Sequence, residues 1–239
     1  MSKTSPRLIG RLVALFLLLL ILCGVYAQGI VADRLIVSGD AAATARNILA
    51  QPGLFRLSFT VFLFEMVAQV VTTALWYVLL RPVNRTIAVT ATFIDLAAGV
   101  MKTFARVFYI VPLWVLSPNA SGASPLMHGF TTPQLESISL LLLQINNRGA
   151  ATASAFFGFS IILRGYLMFR STFMPRWLGV LTMISGVGWL TFLYPPLASL
   201  AFLPVVLFTL VMSAVMIVWL LFVGVPEDKW RESAEQMAG

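Results

Sequence analysis

Charged residues are scarce in this chain, and their scarcity excludes a water-soluble globular protein. Lys, Arg, Asp and Glu together make up 10% of the 239 residues, while hydrophobic residues make up 59%. Soluble domains carry about 25% charged residues, so lipid must be the solvent here. The polar stretches between the apolar runs are short and leave no room for a separate catalytic domain.

Residues that supply common catalytic and metal chemistry are almost missing. The chain has one cysteine, Cys23, and one histidine, His128. A lone cysteine forms no disulfide within the chain, and a lone histidine lacks the companion ligands of a zinc site. No G-x-x-x-x-G-K-[ST] phosphate loop occurs either. We therefore expect no catalytic residue, metal or cofactor, which makes a membrane enzyme the least supported class.

Basic residues exceed acidic ones, giving a formal charge of +7. In a soluble protein such an excess points to nucleic acid, but here the basic residues lie at the ends of apolar runs. That placement indicates membrane topology, and we expect no nucleic-acid partner. With an inside N-terminus, nine Lys and Arg residues lie inside and four outside, which predicts cytoplasmic N- and C-termini; they are Lys3, Arg7, Arg11, Arg81, Arg85, Arg170, Arg176, Lys229 and Arg231 against Arg34, Arg46, Arg56 and Arg148.

Apolar runs long enough to cross a bilayer define the fold class. A span needs about 20 apolar residues in a helix. We predict an all-α, polytopic transmembrane helix bundle of about six spans, forming one domain over 1–226, with a cytoplasmic tail at 227–239. The first run is longer than a signal-peptide core and is interpreted as a retained span. The predicted spans are 9–31, 56–80, 87–115, 150–169, 177–194 and 199–224.

Two outer segments are predicted to form short interfacial helices over the bundle. Asp40 is a natural N-cap for a helix over 41–50, which Gln51-Pro52-Gly53 ends. A second helix is expected to begin at Thr132-Pro133 and to break near Gly149, because a straight helix from 133 to 170 would far exceed the bilayer thickness. The Pro, Gly, Ser and Asn content over 117–131 predicts a flexible loop that contains His128.

Ionisable residues inside the spans are the candidate site, because a charge there costs at least a few kcal/mol without a partner or water. Helical spacing places Glu65 and Gln69 on one stripe of the second span. It places Asp95, Lys102 and Arg106 on one stripe of the third span. Depth along antiparallel helices predicts two pairs, Glu65 with Lys102 and Asp95 with Arg164, and leaves Arg106 to snorkel outward. The candidate ligand or proton path is Glu65, Gln69, Asp95, Lys102, Arg106 and Arg164.

Two classes of function fit this charged cluster. One is the binding or transport of a small molecule, a lipid or protons, with membrane lipids and a small amphiphilic ligand as partners. The alternative is an accessory or regulatory membrane protein with a protein partner, in which the charges only fix helix register. A water-accessible cavity among spans two to four favours the first class, and a co-purifying partner favours the second.

Four stretches carry a resemblance to a known family. They are RLIG at 7–10, DRLIVSGDAAATARNILA at 33–50, YVLLRPVNR at 77–85 and FFGFSIILRGYLMFRSTFMPRWLGVL at 156–181. In these the chain resembles the bacterial membrane proteins catalogued as domain of unknown function 4386. The resemblance implies a multi-span bacterial membrane protein and brings no established activity. We expect the protein to lie in the inner membrane of the cell. Family members tend to carry a polar or His-containing segment where this chain has Asn146-Asn147-Arg148, so no site is carried over.

Overall fold

The computed structural model describes residues 5–117 and 129–237, and this part of the chain is almost entirely helical. The predicted all-α class is confirmed there. His128 and most of the loop predicted over 117–131 lie outside the described residues.

Six helices of the described chain are long and apolar enough to cross a membrane, which confirms the predicted multi-pass architecture. Five of them begin and end within four residues of the predicted limits. The first and the last include π-helical turns at Val25–Ala32 and Trp219–Val223. The six are α1 Pro6–Leu35, α3 Pro52–Leu80, α4 Arg85–Val115, α5 Thr132–Arg170, α6 Arg176–Leu193 and α7 Pro195–Val223.

The apolar faces of these helices remain largely uncovered by the protein itself. Between 22% and 39% of the residues in the most apolar stretch of each helix are buried within the chain. The rest would meet water in a soluble protein, so this surface contacts membrane lipid.

Two short helices complete the described chain. In α2, Ala41–Ala50, the Asp40 carboxylate accepts a hydrogen bond from the Ala43 N–H at 2.8 Å, which confirms the predicted N-cap. In α8, Glu227–Gln236, Trp230 anchors the helix by donating its indole N–H to the Leu79 carbonyl at 2.9 Å.

The prediction of a break near Gly149 is wrong, and the outer helix predicted from Thr132-Pro133 is continuous with the helix of the fourth span. Helix α5 runs unbroken for 39 residues, about 58 Å at 1.5 Å per residue, and so extends well beyond one bilayer core. Gly149 instead permits close packing, since a Cβ there would lie 2.7 Å from the Ala105 Cβ. The helix tolerates this glycine because helix α4 packs against it.

Contacts divide the chain into two compact units, which are described separately. Unit 1 contains the chain up to Ile21, then Val67–Gly99 and the chain from Thr152 onward. Its apolar core includes Leu79, Leu167 and Leu178. Unit 2 contains Leu22–Met66 and Val100–Ala151, and its core surrounds Phe55, Phe62 and Tyr109.

Within unit 1, glycines allow α5 and α6 to approach closely. A Cβ at Gly158 would lie 2.8 Å from the Gly186 carbonyl oxygen, and one at Gly165 would lie 2.8 Å from the Gly179 carbonyl oxygen. Gly158 and Gly186 thus form a close helix–helix contact within the chain. It fixes the rotation of α5, the helix that carries Ser160 and Arg164.

Candidate functional site

A buried carboxylate organises the polar residues of unit 1. Asp95 on α4 is 1% exposed, and its Oδ1 lies 2.5 Å from Nη2 of Arg164 on α5. The pairing of these two residues, predicted from their depth along the helices, is confirmed. A charge this deeply buried persists only with such a partner.

Three neutral donors complete the surroundings of Asp95. Gln69 Nε2 donates to Oδ2 at 3.0 Å, and Thr73 one turn further along α3 donates to the same oxygen. Ser160 Oγ donates to Oδ1 at 2.9 Å and also accepts from Arg164. Both carboxylate oxygens thus accept two hydrogen bonds each, which fills the acceptor capacity of the group. We call these five residues the Asp95 cluster.

A cleft of about 230 Å³, including its open mouth, lies beside the Asp95 cluster. Asp95, Arg164 and Thr73 form its polar side, and Trp76 and Tyr77 contribute aromatic walls. The space inside is close to that of one water molecule. The cleft therefore joins a fixed charged pair to an apolar lining within one unit.

Unit 2 holds the second predicted pair. Lys102 Nζ on α4 lies 2.8 Å from Oε1 of Glu65 on α3, which confirms this pairing. The other carboxylate oxygen, Oε2, is buried and has no hydrogen-bond partner in the described chain. The side chain of Lys102 stays 20% exposed, whereas that of Glu65 is 9% exposed. This pair is therefore less completely satisfied than the Asp95 cluster.

Arg106 does not snorkel, so that prediction is wrong. The residue is 3% exposed, its guanidinium carbon lies 3.6 Å from the Phe62 ring centroid, and Nη1 donates to Asn146 Oδ1 at 3.2 Å. Its Nε is buried without a partner in the described chain. The expectation failed because unbroken α5 carries Asn146 to the face of α4 and closes the outward route. Glu65, Lys102 and Arg106 are called the Glu65 cluster.

A hydrogen-bonded chain supports Arg106 from the next turn of α4. Tyr109 donates its hydroxyl to Ser58 Oγ at 3.1 Å, and Ser58 donates to the Ala27 carbonyl at 3.2 Å. Phe55 stacks on the Tyr109 ring at 4.5 Å between centroids. This packing holds α1, α3 and α4 together and fixes the face that presents Arg106.

The six predicted site residues are divided between the two units. Unit 1 contains Gln69, Asp95 and Arg164, and unit 2 contains Glu65, Lys102 and Arg106. Sequence reasoning missed the donors Thr73 and Ser160 and the Arg106 partners Asn146 and Phe62. A signal existed for the donors, since each lies four residues from a predicted site residue on the same helix.

Comparisons with known proteins give a family and no activity. No curated protein and no solved structure matches the chain. The family described as domain of unknown function (DUF4386) matches residues 12–224, which is most of the chain. This multi-pass membrane protein therefore belongs to the DUF4386 family.

Proposed function

We propose that the protein binds a small amphiphilic molecule within the membrane, with the cleft beside the Asp95 cluster as its site. The observation that supports this function is the cleft itself, because a charged pair and two aromatic residues line the same space. Binding sites for small molecules combine an apolar lining with a few convergent polar groups in this way.

The electrostatics of the cleft favour a ligand without net charge. Asp95 and Arg164 neutralise each other, so a charged ligand would gain no unpaired counter-ion there. Within the described chain, Arg164 donates its hydrogen bonds through Nη2. Its Nε and Nη1 remain to donate to a ligand oxygen. Trp76 and Tyr77 supply an apolar surface for the body of the ligand. A neutral or zwitterionic head group on an apolar body fits this set.

Size limits what enters the cleft. The cleft has room for about one water molecule. It therefore admits only the polar end of an amphiphile unless its lining residues move apart. Proton movement is the less supported use of the cluster, because protonating Asp95 would break hydrogen bonds at an already filled carboxylate. We therefore place ligand binding ahead of proton transfer.

The proposed setting is the bacterial inner membrane, with both termini in the cytoplasm. Support comes from the excess of Lys and Arg on the side that carries the termini, counted over six spans. On this arrangement α2 lies on the outer side of the membrane.

Thermal unfolding in a neutral detergent tests the proposed ligand site. The wild type is screened against neutral and zwitterionic lipids and small metabolites, beside Arg164→Gln and the control Arg170→Gln, which removes an exposed arginine from the same helix. We expect a ligand that raises the unfolding temperature of the wild type and of Arg170→Gln but not of Arg164→Gln. A ligand that shifts all three proteins equally would overturn the assignment of the cleft.

A specific observation favours an accessory protein as the second candidate function. Asp95 is fully satisfied by protein donors, as expected for a group that only fixes helix register. This function predicts that no ligand shifts the wild type, while a partner protein co-purifies with it and with Arg164→Gln alike.

A further inference from the structure

We infer that Arg106 and its neighbours in unit 2 form a binding site for one oxyanion, a carboxylate or a phosphate group. The site is separate from the cleft beside Asp95 and takes a ligand of different charge. It is built from the Glu65 cluster together with Asn146 and Phe62.

Charge balance is the first ground for this site. In the described part of unit 2, the charged side chains buried or partly buried away from helix ends are Glu65, Lys102 and Arg106. One carboxylate faces two cations, and Lys102 already holds that carboxylate at 2.8 Å. The guanidinium is left with a neutral amide and an aromatic ring as partners. Two buried cations that share one carboxylate leave one positive charge uncompensated, which is costly in a membrane, and a bound anion removes that cost.

The edge of the guanidinium that contains the unpaired Nε indicates the shape of the ligand. Nη1 donates to Asn146, and the guanidinium carbon lies 3.6 Å from the centroid of the Phe62 ring. Nε is buried without a partner, and it shares with Nη2 the edge that binds two oxygens of a carboxylate or phosphate side by side. The contacts with Asn146 and Phe62 hold the guanidinium in place and leave this edge as the part that lacks a hydrogen-bond partner at Nε.

Lys102 and Glu65 add two further requirements. Lys102 lies one turn from Arg106 on α4, and its ammonium can donate to the same anion because only one of its bonds goes to Glu65. The unpaired Oε2 of Glu65 needs a donor, so a hydroxyl on the ligand beside the anionic group would complete the site. A hydroxylated carboxylate or a protonated phosphate supplies both groups.

A single water molecule is the simplest competing occupant. It could accept from Arg106 Nε and donate to Glu65 Oε2, which would satisfy both atoms. Water would leave the positive charge of the cluster uncompensated, so the two occupants differ in whether added oxyanions stabilise the protein.

Ligand-dependent unfolding at constant ionic strength separates these occupants. The detergent-purified full chain is titrated with sodium acetate, inorganic phosphate and sodium octanoate, using chloride as the reference anion and octanol as the uncharged control. We expect oxyanions to raise the unfolding temperature above that in chloride, and octanol to leave it unchanged. Octanoate acting at far lower concentration than acetate would identify the source as an amphiphile, and equal potency would identify a free small anion.

Variants assign the effect to Arg106. Arg106→Gln is expected to weaken oxyanion binding roughly thirtyfold or more, because it removes one partner of a buried charge pair. Arg106→Lys keeps the charge without the paired donors and should bind with intermediate affinity. The control Arg56→Gln removes an exposed arginine of the same unit and should bind as the wild type does.

Glu65→Gln keeps the inference falsifiable if Arg106→Gln fails to fold. This substitution leaves two cations without an acid, so oxyanions should stabilise the variant more strongly than the wild type. The inference is overturned if no oxyanion stabilises the wild type beyond chloride, or if Glu65→Gln gains nothing. Arg164→Gln should retain full oxyanion binding, so a failure here is distinguishable from a failure of the cleft.

Discussion

The guanidinium carbon of Arg106 lies over the ring of Phe62, 3.6 Å from its centroid, and the arginine is 3% exposed. An arginine in this position is stabilised by the electron-rich face of the ring, and the ring also separates the guanidinium from lipid. The same ring also meets Tyr109 edge-on, with centroids 5.1 Å apart. Phe62 therefore links the buried cation to the aromatic core of unit 2.

Replacing Phe62 by leucine tests the importance of that ring. We expect Phe62→Leu to lower the free energy of unfolding by about 2 kcal/mol, since a desolvated cation–ring contact and an aromatic pair are both lost. Phe62→Tyr keeps the ring and should lose less than half as much. Urea unfolding in detergent measures both, and equal stabilities of the two variants would contradict a role for the ring face.

The buried pair Asp95–Arg164 should show strong coupling. Asp95→Asn leaves the arginine buried without a counter-ion, and we expect a loss of about 3 kcal/mol in unfolding free energy. Adding Arg164→Met to the Asp95→Asn variant removes the unpaired positive charge and should recover more than half of that loss of unfolding free energy. A double-mutant cycle measures the coupling, and additive effects would show that the pair contributes little beyond its separate members.

The glycine contacts of α5 and α6 predict a steric effect. Gly165→Ala would place a methyl group 2.8 Å from the Gly179 carbonyl oxygen, so the helices must separate, and we expect a loss of about 2 kcal/mol. Gly99→Ala is the control, because a Cβ there meets nothing within 4 Å and alanine favours the helix. If both variants unfold at the wild-type temperature, the close approach of the helices is not a source of stability.

Topology can be mapped with introduced cysteines because Cys23 is the sole native thiol and can be replaced by alanine. In that background, Ser38→Cys should react with a membrane-impermeant maleimide added to intact spheroplasts. Glu232→Cys in α8 should react only after permeabilisation, since the proposed orientation puts the side rich in Lys and Arg in the cytoplasm. Labelling of the two positions in the reverse order would refute the proposed orientation.

Hydropathy and helical spacing predicted much of this structure. The six spans followed from apolar length, and the two ion pairs followed from counting turns along antiparallel helices. Depth is a one-dimensional quantity, so spacing was sufficient to match Glu65 with Lys102 and Asp95 with Arg164.

The residues that surround Arg106 could not be predicted from residue spacing along single helices. The polar run beginning at Asn146 resembles a helix end in sequence, but packing against α4 keeps the helix continuous there. Asn146 thus became a partner for a buried charge instead of a loop residue. Thr73 and Ser160 were overlooked because hydroxyls in membrane helices usually bond to their own backbone, as Thr72 does with the Ala68 carbonyl.

The hydrogen bonds of Asp95 have a consequence for how the chain enters the membrane. Translocation proceeds from the N-terminus, so α3 and α4 are synthesised well before Ser160 and Arg164 emerge. A lone aspartate at the centre of a helix costs about 3 kcal/mol on insertion. Gln69 and Thr73 offer donors to one carboxylate oxygen from the helix that precedes Asp95. The newly made hairpin of α3 and α4 can therefore insert into the bilayer with one carboxylate oxygen of Asp95 already hydrogen-bonded, before Arg164 is synthesised.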